Sequence, residues 1–414
     1  MPFRIALSGL NAASTDLQVT GNNIANAATH GFKQSRTEFA DLYSTSISDV
    51  SKTTSGRGVQ VSRIAQQFSQ GNVDFTSNNL DMALNGEGFF VLKDTDGTNL
   101  YTRAGAFTVD REGYVVNHAN QRLQIFPTVS TGTNPTFNTG VLNDLLLPTA
   151  PGAPSATTSA TVTVNLDASQ TEPVPAFSPT NAASYNHATS TTVYDSLGTA
   201  HTATMYYRAT ATAGQWDTYL YVDGTNVTAG GAAPDAVTLG FDASGVLTTP
   251  ATGTITYDPY NPGGGAAPMN MVFDYSSSTQ YGSGFAVNNL VQDGYSSGRL
   301  SGLDTDDTGI VYARFTNGQS RALGKIALAR FNNQQGLQQA SDTNWAQTFT
   351  SGDVQLGEAG TSSYGMVQSG ALESSNVDVA EQLVNLITAQ RNFQANAEVI
   401  TTADTITQTI IQMK

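Results

Sequence analysis

The stretch "NNIANAATHGFKQSRTEF", residues 22–39, interrupts what otherwise reads as a leucine-spaced helix. Upstream of it, Phe3, Leu10, Leu17 and Ile24 fall seven residues apart, with Leu7 at the intervening position. That spacing puts them on one stripe of a helix. Ser14 and Gly21 occupy the later intervening positions, so the stripe is apolar but thin. The helix is expected to end where Asn and Gly accumulate, around Asn22, Asn23 and Asn26.

The far end of the chain mirrors this pattern. Within residues 374–414, Val379, Leu383, Leu386, Phe393, Ala397, Ile400, Ile410 and Met413 keep a three-four spacing. Ser374 or Ser375 is expected to cap the helix start, with Asp378 and Glu381 near the positive end of its dipole. No Gly or Pro interrupts the run, which predicts a helix of some forty residues. Runs beyond about 25 residues suggest a coiled coil or a rod. Isolated helices are marginal in water, and no third helical segment lies nearby. Such stripes most simply meet copies of themselves.

Between the ends the chain reads as β structure. Residues 79–117 alternate strand-like runs with turns at Asn85-Gly86, Asp96-Gly97 and Glu112-Gly113. Residues 309–331 give a hairpin with Asn317-Gly318 at its tip, and the two stretches are expected to share one β domain. Residues 148–280 differ in composition: they hold eleven of the fourteen prolines, nine acidic residues and one basic residue, Arg208. Strands with turns at Leu197-Gly198 and Asp223-Gly224 mark this segment as an inserted, outward-facing β domain.

Composition narrows the class. At 414 residues the chain exceeds the roughly 250–300 at which single cores stop growing, so several domains are expected. Its 33 acidic and 18 basic residues give a net charge of −15, which repels DNA and anionic lipid. There is no Cys, hence no disulfide and no thiolate metal site. No segment approaches the ~20 apolar residues of a membrane span. The longest early apolar run, Ile5-Ala6-Leu7, falls short of the roughly 7–15 of a secretory signal. Export, if it occurs, is expected to leave the end uncleaved.

Catalytic patterns fail on inspection. "GYSSG", residues 294–298, has the nucleophile-elbow form, but the His residues are 30, 118, 187 and 201, so none follows Ser296. "DTDGTN", residues 94–99, opens like a calcium loop, yet position twelve is Gly105 instead of the bidentate Glu. "DTDD", residues 304–307, has no second ligand cluster. No metal, no cofactor and no enzymatic activity is expected.

Residues 7–43, "LSGLNAASTDLQVTGNNIANAATHGFKQSRTEFADLY", resemble the N-terminal segment shared by the axial proteins of the bacterial flagellum. That family carries "NNIANxxTxGFK" after its first helix, standing here at Asn22 to Lys33. The stretch Ser369 to Ile400 looks like the matching C-terminal signature, and residues 191–208 and 285–319 resemble the hook members in particular. "NAATHGFK" departs slightly from the usual "NVNTTGFK".

The resemblance implies a multidomain α+β chain. Its long N- and C-terminal helices would pair as a coiled-coil-like inner domain, with two mainly antiparallel β domains, the outer inserted in the inner. The implied boundaries are 1–26 with 372–414 for the helical assembly domain and 27–78 with 357–371 for a connecting segment. An inner β domain would take 79–147 with 281–356, and the outer insertion 148–280. The implied function is a structural subunit of the hook, polymerising into a flexible tube that couples rod to filament as a universal joint. Phe3, Leu7, Leu10, Leu17, Ile24, Val379, Leu383, Leu386, Phe393, Ile400 and Ile410 would form the assembly interface. Asn22, Asn23, Asn26, Gly31, Phe32 and Lys33 would form a firm joint, the Asn side chains bonding backbone and Gly31 supplying a positive φ. Expected partners are further copies of the chain, the rod, the hook–filament junction proteins, the hook cap during growth and the flagellar type III export apparatus. Nucleic acid and membrane are not expected as partners. A distal rod protein would be shorter and lack the insertion. A secreted β-rich adhesin would not need stripes at both ends.

Overall fold

Runs of β-branched and aromatic residues separated by glycine turns form antiparallel ladders through most of the chain, and two long helices close its ends. The computed structural model describes residues 2–42, 56–130, 134–361 and 363–412. The chain divides into two units, Met1–Thr149 with Gly302–Arg314 and Ser320–Lys414, and Ala150–Ser301 with Phe315–Gln319.

The first unit holds helix α1, Pro2–Ala25, and helix α2, Val379–Gln412. Strands Ser35–Asp41 and Val59–Gln66 pair antiparallel beside α1. The body of the unit is a larger antiparallel sheet. In it Phe89–Lys93 pairs with Asn99–Thr102, Arg122–Ser130 and Ser320–Arg330, which joins the two stretches expected to share a domain. Phe89, Tyr101, Phe126, Phe331 and Trp345 form its aromatic core. Ring pairs in that core meet edge-on at 4.8–6.3 Å, the separation at which such pairs attract beyond simple burial.

The second unit places two sheets around one core. Ser159–Asp167 pairs antiparallel with Ala286–Gln292 but parallel with Val272–Asp274 and Thr279–Tyr281. These parallel ladders were not foreseen from sequence. Val162, Val164 and Leu166 of the Ser159–Asp167 strand are closed to solvent. The second sheet is built from the hairpins His187–Tyr194 with Ala200–Ala209 and Gln215–Val222 with Thr225–Val227. Asp223 and Gly224 at the latter's tip both take positive φ, +49° and +80°. That pair of angles suits the right-handed twist of the flanking strands.

Most glycine turns fall where the sequence places them. Gly97, Gly113, Gly198 and Gly318 each carry a positive φ at a hairpin tip. Asn85-Gly86 is different. Gly86 has φ +117°, but Met82–Asn85 pairs with Met366–Ser369 and not with the strand that follows it. The turn hands the chain from one ladder to another and closes no hairpin.

Arg208, the lone basic residue of 148–280, is engaged internally. Its guanidinium holds Glu172 and the carbonyls of Pro173 and Pro175, fixing the proline-rich run over a ring cluster of Phe177, Tyr206, Tyr219 and Tyr221. At two other turns His201 bridges carboxylates, with Nδ1 2.6 Å from Asp223 and Nε2 3.4 Å from Asp195. Tyr260 meets the ring edge-on. Burial by itself lowers the His201 pKa; the hydrogen bonds to Asp223 and Asp195 outweigh it, and the net shift is upward from 6.5. The raised pKa means that the bridge stabilises the fold while His201 is protonated and is lost as pH rises through the folded-state value. Replacing His201→Gln is therefore expected to lower the thermal midpoint at about pH 5.5 and to matter less at about pH 9. Equal losses at both values would show that the bridge contributes nothing.

Candidate assembly site

Three faces of α1 have different partners. Ala6, Ala13 and Thr20 recur seven apart, with Gly9 between the first two and Asn23 three residues after the last, and all of these except Gly9 are buried. This row faces α2. A Cβ added at Gly9 would lie 2.5 Å from Asn396 Oδ1, and Asn23 Nδ2 donates to Gln382 Oε1 at 3.2 Å. Those two contacts pair the start of one helix with the later part of the other, so the helices run antiparallel. On α2 the matching row is Gln382, Ala389 and Asn396, again seven apart, with Gln382 and Ala389 buried. Small side chains let the two axes approach closely. A second face of α1 buries Ala12 and Val19, and Ala12 shares a groove with Phe39 and Val59 of the adjacent hairpin.

The leucine stripe is the third face and borders the α2 contact, with Phe3 lining a groove beside Ala395, Val399 and Ile406 of α2. Phe3 is 52% exposed and Leu7 is also exposed, while Leu10, Leu17 and Ile24 are half-buried. The expected α2 stripe divides in two. Leu386, Phe393, Ala397 and Ile400 are half-buried, whereas Val379, Leu383 and Ile410 are exposed. Met413 lies outside the described residues. At 34 residues against 24, α2 runs past the start of α1, carrying exposed Ile410 and Ile411. Its cap is Asp378, whose Oδ1 accepts from the backbone N–H of Ala380 at 2.8 Å and of Glu381 at 3.2 Å. The expected cap at Ser374 or Ser375 is overturned, because Ser374 Oγ turns to Asp74 and Ser375 Oγ accepts from the Val377 N–H, ahead of the helix. A carboxylate at that place also meets the positive end of the helix dipole.

The joint residues converge as one structure. Asn23 Oδ1 accepts from Ser35 N at 2.9 Å while its Nδ2 donates to Ser35 O at 2.8 Å, a two-way bond that folds the chain back along α1. Asn26 Nδ2 donates to Asn22 O at 2.9 Å and finishes the last turn. Gly31 takes φ +71°, its N–H donates to Glu373 O at 2.8 Å, and a Cβ there would meet Ala104 N at 2.4 Å. Only glycine satisfies both the angle and the approach. Phe32 is buried beside it.

Lys33 is buried as well, its Nζ 2.5 Å from Glu373 Oε1 and 2.8 Å from Ser69 O. Glu373 also receives Arg103 Nη1 at 3.3 Å and the Gly71 N–H at 3.0 Å, and its side chain is closed to solvent. Burial lowers the pKa of Lys33 and of Arg103, and the Glu373 carboxylate opposes both shifts. Glu373 and Arg103 were not picked out from sequence. Glu373 stands inside the C-terminal stretch that carries the family resemblance, but nothing local marks its partner. Arg103, 270 residues away, carries no signal that spacing could expose.

No helix among the described residues is long and apolar enough to cross a membrane. Such a chain, with paired terminal helices, a glycine-asparagine joint and a largely antiparallel β body, falls in the class of flagellar rod and hook proteins. Residues 3–33 match the family described as flagella basal body rod protein, and 368–413 match the flagellar basal body rod FlgEFG protein C-terminal family. Residues 83–166 match the flagellar hook protein FlgE/F/G D1 domain, and 165–295 match the flagellar basal body protein FlaE D2 domain. Within that class the chain belongs to the flagellar hook protein family. It is 38% identical to the flagellar hook protein FlgE of Salmonella typhimurium, with 100% of both chains covered, and 39% identical to that of Escherichia coli over the same share. The hook protein of Borreliella burgdorferi is 34% identical, with 99% of this chain and 98% of that one covered. In fold the chain resembles Helicobacter pylori hook protein FlgE2, with TM-score 0.53 and 15% identity, covering 73% of this chain and 100% of that one. This is a structural family and not an enzyme family.

Replacing Glu373→Gln keeps the shape of the side chain and removes its charge, leaving Lys33 and Arg103 buried without a counter-ion. Breaking a buried pair in this way costs about 3–5 kcal/mol. The expected outcome is a denaturant midpoint lowered accordingly in the first unit. A midpoint equal to that of the parent would show that the triad does not hold the joint.

Proposed function

We propose that the chain is a structural subunit of the flagellar hook that polymerises into a helical tube. The observation that carries this reading is the α1 leucine stripe, which stays exposed at Phe3 and Leu7 and only half-buried at Leu10, Leu17 and Ile24 after α1 has met α2 and its neighbouring hairpin. A helix pair held by small and polar residues, with its large apolar side chains turned outward, is poised to bury them against further copies. Phe3, Leu7, Leu10, Leu17 and Ile24, with Val379, Leu383 and Ile410, form that assembly face. Leu386, Phe393 and Ile400 flank the contact between the two helices.

In this reading the helices, within 1–26 and 372–414, line the inside of the tube. Residues 27–78 with 357–371 form the joint, 79–147 with 281–356 the inner β domain, and 148–280 the outer insertion. The rod meets the tube at one end and the junction proteins at the other, with the cap and export apparatus acting during growth. The assembled part lies outside the cell. A flexible coupling needs outer contacts that exchange while the joint stays firm. The Ser-, Thr- and Asn-rich insertion suits wet contacts of that kind better than locked ion pairs do.

Leu7→Asp tests the reading. Leu7 is exposed in the single chain, so the variant is expected to keep the parent's circular dichroism and thermal midpoint. Assembly would bury an unpaired carboxylate, at a cost of several kcal/mol per subunit, and tubes should be missing in electron micrographs. Normal tubes from Leu7→Asp would place the assembly face elsewhere.

A further inference from the structure

One seam between the two sheets of the second unit is closed by an imidazole. His187 opens the strand His187–Tyr194 of one sheet, and Phe285 immediately precedes Ala286–Gln292 of the other. Their rings stack at 4.3 Å and 7°, and Trp216, from the same sheet as His187, lies 6.1 Å away at 26°. The residues before Phe285 are tied to the Ser159–Asp167 strand, where Asn165 Nδ2 donates to Ser283 O at 2.9 Å and to Ser283 Oγ at 3.0 Å. His187 Nε2 is closed to solvent and has no hydrogen-bond partner among the described residues.

A neutral imidazole tolerates this place, since with its proton on Nδ1 it presents Nε2 as a lone pair. Protonation adds a charge and an N–H that nothing accepts, where neither can be hydrated. The surrounding groups do not answer that charge. Asp167 acts on the ring, but its oxygens are taken by Ser169 and Gln170 and it makes no ion pair with His187. Tyr207 stands opposite His187 in the neighbouring strand, and Tyr275 meets Tyr207 edge-on at 6.5 Å. Burial raises the hydroxyls of Tyr207, Tyr257 and Tyr275 above their ordinary 10, so none of them supplies a charge. Arg208 and Asp217 turn to the other face of the sheet, where Arg208 holds Glu172 and Asp217 accepts from Thr238. Residues 282–292, around Phe285, carry no titratable side chain. The Phe285 face attracts a cation, but it offers the new N–H no acceptor. Burial lowers the His187 pKa, the Asp167 carboxylate opposes the shift, and the net change is downward from 6.5.

We propose that His187 is an acid-sensitive latch between the two sheets of the second unit, closed while its ring is neutral and opened when it takes a proton. The neutral ring contributes fully above its unfolded-state value of about 6.5. That contribution is lost as pH falls from there through the lower folded-state value. His201, in the same unit, works in the opposite sense, because its bridge to Asp195 and Asp223 is made by the protonated ring. His30 and His118 are exposed. Acid therefore loosens the seam at His187 while tightening the turns that His201 bridges.

The test measures amide hydrogen exchange in the full chain as single subunits at about pH 7.5 and about pH 5, corrected for the intrinsic effect of pH. In the parent, His187–Tyr194 and Ala286–Gln292 are expected to lose protection at the lower pH relative to Phe89–Lys93 of the first unit. His187→Phe keeps the stack and cannot take a proton, so its protection is expected to be equal at both values. His201→Gln is expected to lose at least as much as the parent. Spectra of the parent with labelled histidine are expected to show His187, assigned by its contacts with Phe285 and Trp216, titrating below 6.5. Equal protection of the parent at both pH values overturns the latch, and so does the same loss in His187→Phe as in the parent. Titration of His187 at or above 6.5 overturns it as well, and that reading needs no variant to fold.

Discussion

A single buried carboxylate holds the two ends of the chain in register. Glu373 takes Lys33 from the segment after α1, Arg103 from the β body and the Gly71 N–H, and it stands just before α2. Neither cation can shift away without stranding charge in a dry interior, so the triad resists sliding as well as separation. A buried ionic cluster of this kind adds little net stability over an apolar one. Its use here is positional. It sets where both helices leave the β body, and Gly31, Asn23 and Asn376 hold the same crossing through backbone bonds.

The exit points settle how the helices can meet. Antiparallel and side by side, they touch through Ala6, Gly9, Ala13 and Thr20 on one side and Gln382, Ala389 and Asn396 on the other. That row is made of small and polar side chains, while Leu10, Leu17, Leu386, Phe393 and Ile400 are half-buried. A leucine seam between the helices would have been stronger within one chain and would have left nothing for a neighbour.

Much of this was legible in the sequence, and the reasons for the misses are particular. The stripe Phe3, Leu10, Leu17, Ile24 shows because large apolar side chains repeat at the helical period. The contact row of α1 does not, since Ala, Gly, Thr and Asn carry no hydrophobic contrast. The cap was placed at Ser374 or Ser375 because serine is a good cap, yet Asp378 does the work three or four residues later. Asn85-Gly86 has the composition of a hairpin tip, and only tertiary pairing with Met366–Ser369 shows that it is not one. Arg103 and Glu373 lie too far apart for any spacing rule to connect them. The joint motif itself was legible through resemblance, and the structure supplies its physical content, with Gly31 bound both by its angle and by its approach to Ala104.

The contrast between the joint and residues 148–280 follows the same logic of charge. At the joint, opposite charges are paired and sealed from water. Across residues 148–280 nine acids face one base, and that base, Arg208, is occupied by Glu172 and two proline carbonyls within its own unit. His201 is likewise held between Asp195 and Asp223. The segment therefore offers a neighbouring copy acidic and hydroxyl groups but no free arginine or lysine. Two such surfaces cannot lock through salt bridges with each other. What remains between them are hydroxyl, amide and water-mediated bonds, each easily exchanged for another of similar energy. In the proposed tube, a joint that cannot slip and contacts at residues 148–280 that can exchange would both follow from this distribution of charge.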